Sequence, residues 1–117
     1  MKYRKFGKLD WEASILGFGI MRLPHEEGEF SKILFDEARE MLRFAIDSGV
    51  NYLDTAWNYH GGESETFLGK ALDEGYREKV RIVTKLPSWK IEKREDFDVY
   101  FLEQKERLRT EKIDFYI

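Results

Sequence analysis

At 117 residues the chain is one domain with room for a modest core, and with 37% charged and 15% aromatic residues it is a folding sequence rather than a disordered one. A net charge of −3 without a basic stripe argues against nucleic acid as a partner, and zero cysteines exclude disulfides, thiolate catalysis and cysteine metal sites. No apolar run approaches the ~18 residues of a membrane span, and Met1-Lys2-Tyr3-Arg4-Lys5-Phe6 lacks a signal peptide's apolar stretch, so a soluble cytoplasmic protein is expected.

Residues 3–14 read as a β-hairpin, with Tyr3-Arg4-Lys5-Phe6 and Trp11-Glu12-Ala13-Ser14 alternating around a turn that carries Gly7 and Asp10. Ile15-Leu16-Gly17-Phe18-Gly19 reads as a short buried strand, followed by a polar loop. Ala38, Met41, Leu42, Ala45 and Ile46 repeat at helical spacing and predict a helix over 36–48 that stops at Gly49. A strand at 51–54 leads through Gly61-Gly62 into a second helix over 63–74, which ends before Gly75. A strand at 80–85, a third helix near 94–109 and a strand at 113–117 complete the pattern. The order β-α-β-α-β-α-β implies right-handed parallel crossovers, hence an α/β layer. Two features fit less well. Lys105 falls on the apolar stripe of helix three with Phe101, Leu102 and Leu108, where it would have to snorkel along its stem, and the chain stops at Ile117 within a strand expected to be buried.

Three residues at predicted strand ends carry the chemistry: Asp54, Tyr59 and Lys85. The ends of parallel strands are where α/β proteins gather reactive groups. A carbonyl receiving hydride builds negative charge on oxygen and needs a proton. A tyrosine hydroxyl supplies one poorly near neutrality, its ordinary pKa being about 10, whereas an adjacent ammonium favours the phenolate. A carboxylate then holds the ammonium in place. Taken singly, Asp54 reads as a turn cap, Tyr59 as a loop aromatic and Lys85 as a solvated strand end. Together, in this order, they read as proton donor, tuner and anchor.

Asp54-Thr55-Ala56-x-x-Tyr59, Gly62-x-Ser64-Glu65-x-x-Leu68-Gly69 and Thr84-Lys85 closely resemble the aldo-keto reductases. Gly17-Phe18-Gly19-Ile20-Met21-Arg22-Leu23-Pro24 resembles the end of that family's first barrel strand and the loop after it. The hairpin resembles the plug that closes their barrel, and Ile113-Asp114-Phe115-Tyr116-Ile117 the start of their fourth strand. The resemblance implies a (β/α)8 TIM barrel, of which a complete copy needs ~250 residues. This chain therefore holds about half a barrel, four parallel strands and three helices, and is expected to be truncated. It implies NADPH-dependent reduction of aldehydes or ketones, with Asp54, Tyr59 and Lys85 catalytic and Gly19, Ile20, Met21 and Asp54 at the cofactor. The family's catalytic histidine and the pocket for the adenosine phosphate would lie beyond Ile117, so little or no activity is expected of the chain alone. The alternative is a non-catalytic half-barrel that self-associates through its exposed strand edges, 15–19 and 113–117.

The remaining candidates carry less. His60 follows Tyr59 and could be offered as the missing histidine, but adjacent loop residues point apart. His25 reads as a surface residue, and two distant histidines do not make a metal site. Gly17-x-Gly19 lacks the third glycine of a dinucleotide fingerprint. Trp57 and Trp89 either line a substrate pocket or cover the mouth of the barrel, and the run from Lys90 to Glu95 is a solvated loop and helix start.

Overall fold

The computed structural model describes all 117 residues. Its elements in chain order are β1 (Tyr3–Lys5), β2 (Glu12–Ser14), β3 (Phe18–Gly19), β4 (His25–Glu26), β5 (Glu29–Ile33), α1 (Phe35–Asp47), β6 (Tyr52–Asp54), α2 (Ser64–Ala71), β7 (Arg81–Thr84), α3 (Asp96–Arg107) and β8 (Phe115–Tyr116). Four strands form one all-parallel sheet in the order β3-β6-β7-β8, so each helix is a crossover between neighbouring strands. The alternation read from the sequence is therefore the architecture observed.

Each helix follows from its apolar spacing. In α1, Ala38, Leu42 and Ile46 recur every four residues and face the sheet, while Asp36 and Glu37 favour its positive end. Its far end closes with Gly49 at φ 103°, where the Gly49 amide donates to Ile46 and the Val50 amide to Ala45. One core holds the layer together: Leu42, Leu53, Phe67, Leu68, Ile82 and Leu108 are among its buried members. In α2, Gly69 has no room for a side chain, since a Cβ there would stand 2.4 Å from the Arg107 carbonyl oxygen. Helices α2 and α3 therefore cross at backbone contact.

The N-terminal hairpin, β1 with β2, lies against the amino ends of the sheet strands. Phe6 packs on Phe115 at 4.9 Å and on Tyr52 at 5.9 Å, Trp11 joins them, and Asn51 ties β2 down through Ser14 and Glu12.

Several boundaries differ from expectation. The strand expected over 15–19 pairs only at Phe18–Gly19, because it is an edge with one neighbour, and Ile15 and Leu16 stand exposed. The expected polar loop contains a second hairpin, β4 with β5, turning at Gly28 (φ 73°) and closed by the Leu34 amide on Pro24. Glutamates hide the strand alternation there. Helix α2 ends at Ala71 rather than 74, since Glu74 and Gly75 adopt positive φ. The strands expected over 80–85 and 113–117 and the helix expected over 94–109 are each shorter at both ends. Lys105 does snorkel: its ammonium sits 5.8 Å from the Phe101 ring and 3.9 Å from Glu111. Helix α3 is rotated relative to the expected stripe, burying Gln104 and Leu108 and leaving Leu102 59% exposed.

Candidate active site

Side chains alternate across each strand, and this sorts the site from the core. On β6, Leu53 points to the helices, so Tyr52 and Asp54 point to the open face. On β7, Ile82 and Thr84 point to the helices, which directs Lys85, one residue past the strand, to the same face as Asp54. Gly19 is paired with Asp54 and Asp54 with Val83, so the three carboxyl ends are level. The Lys85 ammonium donates to Asp54 Oδ1 at 2.8 Å and to the Thr55 carbonyl at 2.9 Å. It also lies 5.1 Å from the centre of the Tyr59 ring. The structure thus brings Asp54, Tyr59 and Lys85 together, each partly accessible, at the carboxyl end of the sheet.

The loop that delivers Tyr59 is pinned from several sides. His60 and Gly61 adopt left-handed φ of 52° and 62°, and Gly62 follows at 98°. His60 is wholly buried, accepts the Leu23 amide on Nε2 at 2.9 Å and donates from Nδ1 to the Phe30 carbonyl at 2.6 Å. Both ring nitrogens are engaged in fastening the loops, and neither is offered to the open face. Ser64 bonds Thr55 and the Ile20 carbonyl, joining the start of α2 to β3 and β6.

Gly19 leaves open space where a Cβ would stand, and Met21 is about half exposed. Ile20 behaves differently: its side chain is in the core, its amide donates to Asp54 and its carbonyl accepts from Ser64. It shapes the turn and presents nothing to the open face. Trp57 is buried, with the Arg107 guanidinium 3.6 Å above its ring, whereas Trp89 stands exposed in a short turn. His25 is exposed beside Phe30.

A buried polar network behind Lys85 was not singled out from sequence. The Gln104 amide donates to Glu65 Oε2 at 3.0 Å and to the Lys85 carbonyl at 3.0 Å, and its oxygen accepts the Tyr116 hydroxyl at 2.6 Å. Thr84 adds a bond to Glu65, while Glu65 Oε1 has no hydrogen bond and Arg107 lies 3.7 Å away. Burial pushes the Glu65 carboxyl up to about 7, although the bonds from Gln104 and Thr84 and the Arg107 charge oppose it. Burial, with the Glu65 charge adding to it, pushes the Tyr116 hydroxyl up to about 12. The available signal was a glutamate among Phe67, Leu68 and Ala71 on the inner side of α2, and a glutamine four residues before Leu108.

Comparison with known proteins places these features in one family. Residues 15–117 match the model of the aldo/keto reductase family, and the chain belongs to it. Probable aldo-keto reductase 1 from Glycine max is 33% identical over 96% of this chain and 34% of its own length. The holo form of an aldo-keto reductase from Bacillus halodurans superposes with a TM-score of 0.76 at 32% identity, covering 99% of this chain and 39% of that one. An aldo-keto reductase from Klebsiella pneumoniae in complex with NADPH gives 0.74 at 25% identity, over 90% and 34%. The sheet and its helices are thus part of that family's barrel, and the chain spans between a quarter and about a third of the length of the curated relatives it matches.

Proposed function

We propose that this chain carries the proton-donating part of an NADPH-dependent carbonyl reductase acting on an aldehyde or ketone. The observation that carries the reading is the 2.8 Å Lys85–Asp54 pair beside the Tyr59 ring, at the open carboxyl end of the sheet. Tyr59 gives its hydroxyl proton to the carbonyl oxygen of the substrate. The Lys85 ammonium stabilises the phenolate left behind, and Asp54 and the Thr55 carbonyl hold that ammonium in place. NADPH, when bound, supplies hydride to the carbonyl carbon. Gly19, Met21 and Asp54 would hold its nicotinamide end, a fit supported by the open space at Gly19. By itself the chain has little turnover in this reading, because the family's histidine and phosphate pocket belong to the other part of the barrel. No helix is long and apolar enough to cross a membrane, and a cysteine-free chain suits the cytoplasm.

The test supplies this chain with the C-terminal part of a relative's barrel and follows NADPH oxidation with a panel of aldehydes. Tyr59→Phe is expected to lower kcat by about 10²–10⁴-fold, the usual span for general acid catalysis, while NADPH binding measured by calorimetry is unchanged. Unaltered turnover in Tyr59→Phe, with substrate reduced at the wild-type rate, would remove Tyr59 as the donor.

A further inference from the structure

Lys85 is held from both sides of the sheet. On the open face its ammonium is bonded to Asp54 and to the Thr55 carbonyl. On the helix side the hold falls on its main chain. Strand alternation sends the Val83 carbonyl to the Thr55 amide and the Thr84 carbonyl to the Ile117 amide. Strand β6 has ended at Asp54, and the Lys85 carbonyl finds no backbone donor. The Gln104 side chain, reaching in from α3, donates to it at 3.0 Å.

A primary amide carries two N–H hydrogens and one acceptor oxygen, and Gln104 has a use for each. The hydrogens meet the Lys85 carbonyl and Glu65 Oε2, both at 3.0 Å, with Thr84 Oγ1 a longer alternative at 3.3 Å. The oxygen accepts the Tyr116 hydroxyl at 2.6 Å. Turned over, the amide would set its oxygen against two acceptors, so its surroundings admit one orientation. Thr84 is itself committed, donating to Glu65 Oε2 at 3.2 Å. Glu65, Thr84 and Gln104 are all at 0% exposure. Burying polar groups is costly unless they are bonded, and apolar side chains at these places would avoid that cost. What the polar cluster adds is a fixed place for the Lys85 peptide.

We propose that Glu65 and Gln104 are positioning residues for Lys85. Glu65 orients the Gln104 amide, and that amide fixes the backbone from which the Lys85 side chain reaches Asp54 and the Tyr59 ring. The proposal rests on the reading of Lys85 as the group that stabilises the Tyr59 phenolate. A misplacement of about 1 Å at such a group is enough to cost about 10²-fold in rate, so a hold on its main chain bears on chemistry as well as on the fold.

The test is made on the full chain and reads the Lys85 amine directly. Trace acetylation with acetic anhydride, followed by mass spectrometry, compares Lys85 with Lys8 on the hairpin. Gln104→Leu is expected to raise Lys85 acetylation relative to Lys8 by about 3–5-fold, the equivalent of one lost hydrogen bond. Glu65→Leu should do the same, whereas Glu65→Gln, which keeps an oxygen for the Gln104 amide, should stay close to the wild type. Gln104→Asn, which withdraws the amide by one carbon, gives the same reading if the leucine variant does not fold. Leu42→Ala, a core variant on α1 away from the network, controls for general loosening. An equal rise in Leu42→Ala, or unchanged Lys85 acetylation in folded Gln104 variants, would overturn the proposal. Full activity in Tyr59→Phe strikes the proton-donor reading instead and leaves this hold on Lys85 standing.

Discussion

Gln104 occupies a position that periodicity alone assigns poorly. The apolar pattern of α3 marks Phe101, Leu102, Lys105 and Leu108, yet the helix turns Gln104 inward and Leu102 outward. The reason is chemical: one side-chain amide serves Glu65, the Lys85 carbonyl and the Tyr116 hydroxyl, groups that burial would otherwise leave unsatisfied. The network is held at a cost, because Glu65 is buried with one oxygen unbonded. Its carboxyl is pushed from the ordinary 4.5 up to about 7, so between those values the folded chain holds a proton that the unfolded chain has released. Stability therefore falls as pH rises across this window, by about 3 kcal/mol if the whole shift is expressed. Urea denaturation at pH 5 and pH 8 should show that loss in the wild type and a flatter profile in Glu65→Gln. Equal slopes in the two proteins would assign the pH dependence elsewhere.

At the scale of elements, the site depends on where helices and loops are allowed to stop. The left-handed turn at His60–Gly62 returns the chain sharply enough for Ser64 to open α2 under β3, and this sets Tyr59 against Lys85. Helix α3, which supports Lys85 through Gln104, is seated on α2 at Gly69. Gly69→Ala would drive a methyl into the Arg107 and Leu108 backbone, and neither is a flexible side chain that could yield. The expected cost is about 2–3 kcal/mol, the upper part of the range for overpacking, read as a lower midpoint in urea with α3 amides exchanging faster. A variant as stable as the wild type would show that the helices can part without loss. These stops were only partly legible. Gly49 announces the end of α1, but α2 stops at Ala71, short of the end read from Gly75, and the hairpin β4–β5 is masked by charged residues on both faces and shows itself only once Pro24 and Leu34 are paired.

For the molecule as a whole, only 26 of 117 residues are buried, few enough that the edges of the layer matter as much as its centre. The amino ends of the strands are closed by aromatics from the hairpin, Phe6 and Trp11 against Tyr52 and Phe115. Phe6 stays at the margin of exposure, so Phe6→Ala should cost about 1–2 kcal/mol, less than the 3–5 kcal/mol of a fully buried Phe. Trp11 fluorescence should shift to the red in the same variant as its packing loosens. An unchanged spectrum and midpoint would mean the hairpin contributes little to the layer.

The sequence by itself determined the β-α alternation, the three crossover helices and the identity of the trio. Apolar period and the residue types at strand ends are local properties, readable wherever a strand stops on an ionisable side chain. Tertiary structure alone decided that Lys85 reaches Asp54 and lies beside Tyr59, that Ile20 turns into the core, and that His60 fastens loops. It also decided which face of α3 is buried. Each of those depends on strand register and on partners distant in the chain, Asp54 with Lys85, His60 with Leu23 and Phe30, Gln104 with Glu65. No spacing within one segment encodes such a meeting.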